Sequence, residues 1–410
     1  MDTIKIRCFI CDSPARSFIK GVANFNSKNG CLKCTCEGEY SYDSKTVVFT
    51  SIENTKRTDE EFRKNAYELH QKCSTPLTII KTLDTIEDII VGDRLHLIDL
   101  GVMKRLLIGW RDGTLGFRTK LSNQQTNDMS RALKGIKLPS EIHRKFRGLD
   151  NLYHWKASEF SSFLHYASIV VLKNFLPEEH FKHFLLLFSA ITILSCDEYR
   201  RLFNVAKVML VTFVEQYKTL YGTKYMTSNV HNLLHIGDEV VKFGNLNTIS
   251  AYAFENELKN LKNLVRSGWK CLEQVVNRLS EVQCHNIYRD ESSINYPYKT
   301  PSGVVLFKPG FLLKNSTQDC WFLSKKKEIV QFVKADSETE LVIHGRSIKV
   351  KSDYFDYPHN SSDINVFKGN IDSLTKYDSV YKCDDIKCKL VAINCGSHYI
   401  FIPLLHTMQI

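Results

Sequence analysis

The sequence lacks both a long hydrophobic run and a leader-like segment. No stretch approaches the roughly 18 consecutive apolar residues of a membrane helix, and the richest one, FLLLFSAITILSC, predicts a buried helix instead. The N-terminus has no apolar core of the kind that signal peptides carry. We therefore expect a protein that is neither secreted nor embedded in a membrane, and that is located in the nucleus or the cytoplasm. Its 13 cysteines then indicate reduced thiols or metal ligands rather than a disulfide framework.

A strong excess of one charge and obvious internal repeats are also missing. Lys and Arg number 55 against 45 Asp and Glu, which leaves a net charge of +10 over 410 residues. That bias is compatible with nucleic-acid binding but does not diagnose it. Hydrophobic residues at 43% and charged residues at 24% are typical of globular proteins, and the length suffices for two or three domains.

The periodicity divides the chain into a mixed first part, a helical middle and a β-rich end. Within residues 1–120, the alternation in IKIRCFIC and the run TVVFTSI predict strands, whereas DEEFRKNAYELHQK and GDRLHLIDLGVMKRLLIGW predict helices. Helical periodicity predicts a helical insertion domain over residues 121–250, and a helix that returns to the core is expected over 251–287. After a linker at 288–302, short β-type runs between turn residues predict a small all-β domain over 303–410, a sandwich or a barrel. The expected fold class is mixed α+β.

Two Cys-x-x-Cys pairs stand near the N-terminus. Cys8 and Cys11 are three apart on a predicted strand, so they project from opposite faces, and we interpret them as packing residues. Cys31 and Cys34 follow an Asn-Gly turn, which is how half of a tetrahedral zinc site is presented. The alternative of free loop thiols stays open for this pair. Candidates for the remaining ligands are His70, Cys73 and His96.

A second histidine feature lies in the helical middle of the chain. His231 and His235 are four apart on a predicted helix, the spacing that helical zinc ligands use. No glutamate general base stands between them, because the intervening residues are Asn, Leu and Leu. Metal binding and core packing both fit this pair, and we favour packing or hydrogen bonding.

Charged residues offer further candidates. Asp12 ends the first predicted strand, where a carboxylate can bind a divalent metal or simply cap the following turn or helix. On the predicted helix at 252–266, three basic residues share one face with Glu255, either as a track for phosphates or as a solvated face with an ordinary Glu–Lys pair. The segment RALKGIKLPSEIHRKFRG is the densest basic stretch and could also touch phosphates. The candidate nucleic-acid contacts are Lys259, Lys262, Arg266, Arg144, Lys145 and Arg147.

Four ordered blocks carry a resemblance to a known family. They are CFICDSPARSFIKGV, GCLKCTCEGEY, DRLHLIDLGVMKRLL and NVHNLLHIGDEVVKFG…AYAFENELKNLKNLVRSG, and they cover roughly residues 4–285. Together they resemble the CACTA (En-Spm-like) group of DDE transposases, and most of all the transposase-derived proteins of animal genomes. The β-rich end also looks like the tail of such proteins.

The resemblance implies an RNase H-like core that holds a DDE carboxylate triad with Mg²⁺ or Mn²⁺ and is interrupted by a large helical insertion. By position, Asp12 matches the second acidic residue and Glu255 the terminal glutamate, with Glu257 two residues away. Cys31 and Cys34 match the family's CxxC, and His96 matches its histidine block, so these three are the expected zinc-type ligands.

The sequence also departs from the family. The first aspartate of such a triad lies on the first core strand, and this sequence has no counterpart of that strand. We therefore expect a partial, N-terminally truncated RNase H-like core, catalytically inactive as given, that retains DNA or protein binding. The edge beside residues 4–11 would need a protein partner or self-association to cover it. The alternatives are a structural or interaction module without nucleic-acid binding, and a fragment of an active longer transposase.

Overall fold

A computed structural model describes residues 5–287, 295–337 and 340–408. Helices dominate the first of these ranges and antiparallel strands the other two, so the fold class is mixed α+β, as expected. A helix with wide, π-type turns, Arg94–Met103, runs directly into the third α-helix. The α-helices are α1 Ser13–Lys20, α2 Asp59–Arg63, α3 Lys104–Asp112, α4 Asn123–Gly135, α5 Ala157–Tyr166, α6 Ser168–Leu172, α7 Glu178–Leu194, α8 Phe203–Tyr221, α9 Ser228–Phe243, α10 Tyr252–Leu264 and α11 Cys271–Ile287.

The strands form three antiparallel sheets. A hairpin of β1 and β2 lies in the first part of the chain, and β3, β4 and β5 form a three-stranded sheet at the start of the β domain. The remaining eight strands form one sheet in the order β11-β8-β7-β6-β12-β13-β10-β9. The strands are β1 Glu39–Ser41, β2 Thr46–Val48, β3 Tyr298–Lys299, β4 Val305–Lys308, β5 Phe311–Leu313, β6 Trp321–Ser324, β7 Ile329–Asp336, β8 Val342–Ser347, β9 Lys351–Ser352, β10 Phe367–Gly369, β11 Ser379–Lys382, β12 Ile386–Asn394 and β13 Tyr399–Pro403.

The first predicted strand forms only one ladder contact. Residues 5–11 are extended, and Phe9 makes a single parallel bridge to Ile89, with Phe9 N donating to Asp88 O and Ile90 N donating to Phe9 O. The pairing stops there because the chain turns into α1 at once: the Asp12 carboxylate caps that helix by accepting from Ala15 N at 2.9 Å. In the described part of residues 1–120, the β1–β2 hairpin is the one regular ladder. Residues 5–11 therefore present a largely unpaired backbone edge.

The helix expected from Asp59 is shorter than its sequence pattern. α2 ends at Arg63, because Asn65 adopts a left-handed conformation with φ 56°. Its amide donates to Phe62 O, and the next amide donates to Glu61 O, which closes the helix end in the manner of a Schellman motif. A local backbone preference thus overrides the apolar periodicity that continues beyond Arg63.

The hydrophobic run in the middle of the chain forms a buried helix, as predicted. Almost every residue of α7 is buried, and a helix that is apolar on all sides is stable only inside a core. α7 packs against α8, which packs against α9. None of the described helices is both long and apolar enough to cross a membrane.

One cluster of buried ions joins the helical part to the β domain. Lys389 of β12 is fully buried, and its Nζ lies 2.7 Å from Glu141 Oε2 and 2.7 Å from Asp319 Oδ1. Asp319 also accepts a hydrogen bond from Ser140 N. Burial by itself would raise the pKa of Asp319, but the hydrogen bonds from Lys389 and Ser140 lower it well below its usual value. The carboxylate is thus held ionised, and the two parts of the chain share this cluster.

Two expected segments differ from prediction in their details. The linker expected at 288–302 lies outside the described residues over 288–294, and β3 already occupies Tyr298–Lys299. The stretch expected to return to the core over 251–287 consists of two helices rather than one. None of the residues in α10 is buried, so this helix starts beside the core and then leaves it.

We expect Asp319→Asn to destabilise the protein by about 2–3 kcal/mol, because it removes one of the two carboxylates that pair with the buried Lys389 and leaves Glu141 as the other. The pKa of Asp319 is lower in the folded state than its unfolded-state pKa of about 3.9. The carboxylate therefore contributes to stability above pH 3.9, and this contribution is lost as the pH falls towards the folded-state pKa. Urea unfolding at pH 7 and at acid pH measures both effects. Glu340→Gln is the control, since its pair with Lys382 is exposed and should contribute at most about 1 kcal/mol; equal losses for the two variants would contradict the assignment.

Candidate metal centre

The Cys31–Cys34 loop is built by consecutive tight turns. Ser27 N donates to Asn24 O and Gly30 N donates to Ser27 O. A Cβ at Gly30 would lie 2.4 Å from Asn24 O, so only glycine permits this approach. The turns bring the two cysteines into the interior, where both side chains are buried and their Sγ atoms lie 3.5 Å apart.

Helix α9 supplies the facing histidines. His231 and His235 are one helical turn apart and point to the same side. Nε2 of His231 lies 3.3 Å from Cys34 Sγ, and Nε2 of His235 lies 3.4 Å from Cys31 Sγ. The His231 ring stacks on Phe49 with centroids 5.4 Å apart, which fixes its orientation.

These distances match the geometry of a tetrahedral site. With Zn–S near 2.3 Å and Zn–N near 2.0–2.1 Å, the edges of a tetrahedron between ligand atoms are about 3.3–3.8 Å. The four ligand atoms of Cys31, Cys34, His231 and His235 all lie within 4.8 Å of one another. Two thiols and two imidazoles are a donor set that zinc prefers. The cluster can therefore hold a metal ion such as zinc, and its four protein ligands leave no position open for a substrate.

The pKa values of the two thiols are shifted in opposite directions. Burial would raise the pKa of Cys31, but hydrogen bonding to Cys34 and the neighbouring histidines lower it well below its usual value. The hydrogen bond with Cys31, together with burial, raises the pKa of Cys34. In the absence of a metal, these shifts favour a thiolate at Cys31 and a thiol at Cys34. A bound zinc ion takes both sulfurs as thiolates, so binding would displace the proton of Cys34.

A buried ion pair holds the loop and α9 together beside the cluster. Lys33, between the cysteines, places its Nζ 2.8 Å from Glu239 Oε1, and both side chains are buried. Glu239 is the next residue along the α9 stripe after His231 and His235, and it accepts hydrogen bonds from Val91 N and Gly92 N. A Cβ at Gly92 would lie 2.7 Å from Glu239 Oε2. One face of α9 thus organises the metal ligands and the ion pair.

His96 is not part of this cluster, contrary to the prediction from sequence. Its Nδ1 lies 2.5 Å from Asp93 Oδ2, and its Nε2 lies 3.8 Å from Glu255 Oε1. The pKa of His96 is raised, and the main cause is its hydrogen bond to Asp93. The negative charges of Asp93, Asp12 and Glu255 contribute less. Two histidines from α9, His231 and His235, complete the cysteine pair instead, because that helix packs directly on the loop.

The other candidate ligands also lie elsewhere. His70 Nδ1 donates a hydrogen bond to Asn29 O at 2.7 Å, and burial lowers the pKa of His70 to about 3. Cys73 is exposed and stands beside Gly21. Cys8 and Cys11 are half-buried, and burial raises the pKa of both thiols, as packing residues would show. The sequence signal that could have identified the right partners was the four-residue spacing of His231 and His235, for which packing had been favoured.

Asp12, His96 and Glu255 form a second polar group. Asp12 is close enough for its charge to raise the pKa of His96, and Glu255 reaches the other ring nitrogen. Asp93 is fully buried and accepts from Ala251 N at 2.7 Å, which ties the start of α10 to this place. Among the described residues, however, only the Cys₂His₂ cluster brings three or more candidate ligands within 4.8 Å, so Asp12 and Glu255 do not form a preassembled Mg²⁺ or Mn²⁺ site.

The basic candidates are distributed over two surfaces. Lys259, Lys262 and Arg266 are exposed on and after α10, and none forms an ion pair with another described residue. Arg144 and Lys145 are also exposed. Arg147 differs, because its guanidinium makes a bidentate pair with Glu159, at 2.7 and 2.6 Å. Its donors are thus engaged within the protein.

The fold and the site define a two-part α+β protein with a Cys₂His₂ cluster in the helical part and an antiparallel β domain at the end. Residues 295–404 match the family DUF8592, which is described as a domain of unknown function. No curated protein and no solved structure matches the chain. The family match covers only the β domain, so the residues of the metal cluster and of the Asp12 group lie outside it.

We expect the purified protein to bind one zinc ion per chain, and His235→Ala or Cys31→Ser to lose it, because either change leaves only three ligands. Elemental analysis after dialysis measures the content. The free energy of unfolding should be about 4 kcal/mol lower for the metal-free protein than for the protein in free zinc at ~1,000 times the dissociation constant.

Two controls separate this cluster from its neighbours. His96→Ala should retain the zinc, since His96 lies with Asp93 and Glu255. Cys36→Ser should retain it too, because Cys36 is buried nearby but is not among the clustered ligands. Equal zinc content in wild type and in a Cys31→Ser/Cys34→Ser variant would contradict the assignment.

Proposed function

We propose that this chain is a zinc-stabilised, transposase-derived protein that binds DNA and does not cleave it. The ancestral activity would have been metal-dependent cleavage and joining of DNA strands in an RNase H-like core of the CACTA type. The observation that supports this most directly is the convergence of Asp12, His96 and Glu255. The resemblance assigned Asp12 and Glu255 to one carboxylate site and His96 to the zinc-type ligands. The three residues are distant in the sequence, yet Glu255 and the charge of Asp12 both act on His96.

The zinc centre has a structural role in this proposal. It joins the loop of Cys31 and Cys34 to α9, and four protein ligands close its coordination sphere. Residues 5–11 and Asp12 are positioned just beyond this loop, through the Phe9–Ile89 bridge and the cap of α1. Loss of the metal should therefore disturb the group around His96 as well.

The carboxylates support binding rather than catalysis. Asp12 is engaged as a helix cap, and Glu255 is exposed. Within the described ranges, these two carboxylates and a third do not come close enough together to share a metal ion. A two-metal mechanism requires oxygen ligands that bridge both ions. The exposed cations of α10, in contrast, lie on the same helix as Glu255 and can contact the phosphates of a strand that passes this place.

DNA binding is tested by fluorescence anisotropy with a labelled duplex oligonucleotide at several salt concentrations. Replacing Lys259, Lys262 and Arg266 by Ala should weaken binding and reduce the slope of log K against log salt by roughly 2–3, at about 0.9 per lost phosphate contact. A matched variant with Lys325, Lys326 and Lys376 changed to Ala removes the same charge from the exposed surface of the β domain and should bind as wild type. No measurable affinity at about 50 mM salt would exclude the DNA-binding proposal.

Catalysis is tested with supercoiled plasmid in the presence of Mg²⁺ or Mn²⁺. We expect the wild type to nick no faster than an Asp12→Asn/Glu255→Gln variant, because these carboxylates do not form a common metal site. Cleavage by the wild type that this double variant abolishes would establish an active nuclease and overturn the inactive assignment.

A protein-interaction role is the second candidate function, and one observation favours it. The pair α10–α11 carries large apolar side chains on its surface, which DNA phosphates would not cover. This role does not require the basic residues of α10, so the two candidates respond to different substitutions.

A further inference from the structure

A polar cleft of about 270 Å³ lies where α5, the first residue of α10 and the last turn of the β domain meet. Its lining includes Arg94, three serines of α5, Tyr252 and His406. Burial lowers the pKa of His406, so this imidazole is neutral at pH 7. Among the described residues that line the cleft there is no carboxylate, and the guanidinium of Arg94 is the charged group. The lining therefore suits an anion rather than a cation.

Arg94 is held in place and keeps one N–H group free. The residue is only 7% exposed. Its Nη1 donates to Ser195 Oγ at 3.3 Å and to Asn247 Oδ1 at 3.1 Å, and its Nη2 donates to Ser161 Oγ at 2.6 Å. Each Nη of a guanidinium carries two hydrogens. One N–H of Nη2 is thus left without a partner in the described part of the chain, on a group that three hydrogen bonds already orient.

A single carboxylate offsets the charge of Arg94. Asp99 Oδ2 lies 3.6 Å from Arg94 Nε, and Asp99 is fully buried. Burial raises the pKa of Asp99 to about 6, so this carboxylate is mostly ionised at pH 7. The pair therefore leaves no large excess of positive charge. A singly charged group, such as a phosphodiester, fits this balance better than a doubly charged phosphomonoester.

The three serines of α5 supply further donors. Ser158, Ser161 and Ser162 are spaced by three and four positions, so they share one face of the helix. The hydroxyls of Ser158 and Ser162 form no hydrogen bond with another residue within the described ranges. Ser161 accepts from Arg94 and still has its own proton to donate. A guanidinium beside several hydroxyls is a donor set that matches the oxygens of a phosphate group.

We propose that this cleft binds one singly charged phosphate group and that the DNA backbone supplies it, the second part of which rests on the DNA-binding function proposed above. Tyr252 lines the cleft and begins α10. Lys259 follows seven positions later, about 10 Å along the helix at 1.5 Å per residue. That length corresponds to about three nucleotides of a strand at 3.4 Å each. A strand with one phosphate in the cleft can therefore continue along the cations of α10.

Saturation-transfer NMR with dimethyl phosphate tests the cleft without DNA. This probe is a singly charged phosphodiester, and its methyl protons report contact with the protein. We expect saturable binding at constant ionic strength. Ser158→Asp should weaken it at least about tenfold, because it places a carboxylate in the cleft. An aspartate in the first turn of a helix is favourable, so this variant should keep the fold.

A second variant and a control complete this experiment. Ser158→Ala/Ser162→Ala should weaken binding about tenfold, because it removes two donors and leaves no other described group without its partner. Asn123→Asp adds the same charge as Ser158→Asp in the first turn of α4, away from the cleft, and should bind the probe as wild type does. Equal saturation transfer in wild type and Ser158→Asp would overturn the proposal.

Fluorescence anisotropy with duplex DNA tests the source of the phosphate. Ser158→Asp should weaken DNA binding and reduce the slope of log K against log salt by about 0.9, the value for one phosphate contact, whereas Asn123→Asp should not. Unchanged DNA binding by a Ser158→Asp variant that has lost dimethyl phosphate would overturn the DNA backbone as the source and assign the cleft to a free phosphoester. Loss of dimethyl phosphate binding in Ser158→Asp, together with a wild type that binds no DNA, would support the cleft and exclude the DNA-binding function.

Discussion

The packing of one loop against one face of α9 is the constraint on which the first part of the structure depends. The cysteines and the histidines of the cluster are about 200 positions apart, with Cys31 and His235 separated by 204. The same face carries Glu239, which forms a pair with Lys33 in which both side chains are buried. A metal ion bound by the cluster would therefore reinforce the ion pair, because both join the same loop to the same face of α9. Residues 5–12 depend on this joint, because little regular sheet structure holds them.

The molecule combines a strongly packed centre with a weakly supported extension. α7 is buried on nearly all sides, and the ionic cluster of Lys389 fixes the β domain against the helical part. α10 and α11 have no such support beyond the first turn of α10. Exposed large apolar side chains also occur elsewhere, but they are densest on α10 and α11, where covering them would remove the most apolar surface from water. This contrast is the physical reason to look for a partner at α10–α11, and it is independent of the nucleic-acid question.

Sequence reasoning found half of the metal cluster and assigned the other half wrongly. Cys31 and Cys34 were recognisable because both lie in one short turn, where spacing alone predicts proximity. His231 and His235 had the correct spacing too, but a helical i,i+4 pair fits a core as well as a metal site, so nothing local distinguished the two. His96 was favoured through the family resemblance, and the structure places it beside Asp93 and Glu255. Long-range packing of α9 was the missing information.

The sequence by itself determined the features that depend on neighbouring residues. Apolar periodicity was enough to predict the buried α7, the helical middle, the β-rich end and the mixed fold class, because each pattern reports the face that an element buries. Tertiary structure decided which distant elements meet. It brought α9 to the cysteine loop, Asp12 and Glu255 to His96, and Lys389 to Glu141. It also left α10 and α11 uncovered. Their amphipathic pattern could not reveal this, because such a pattern shows which face needs to be buried and does not show what buries it.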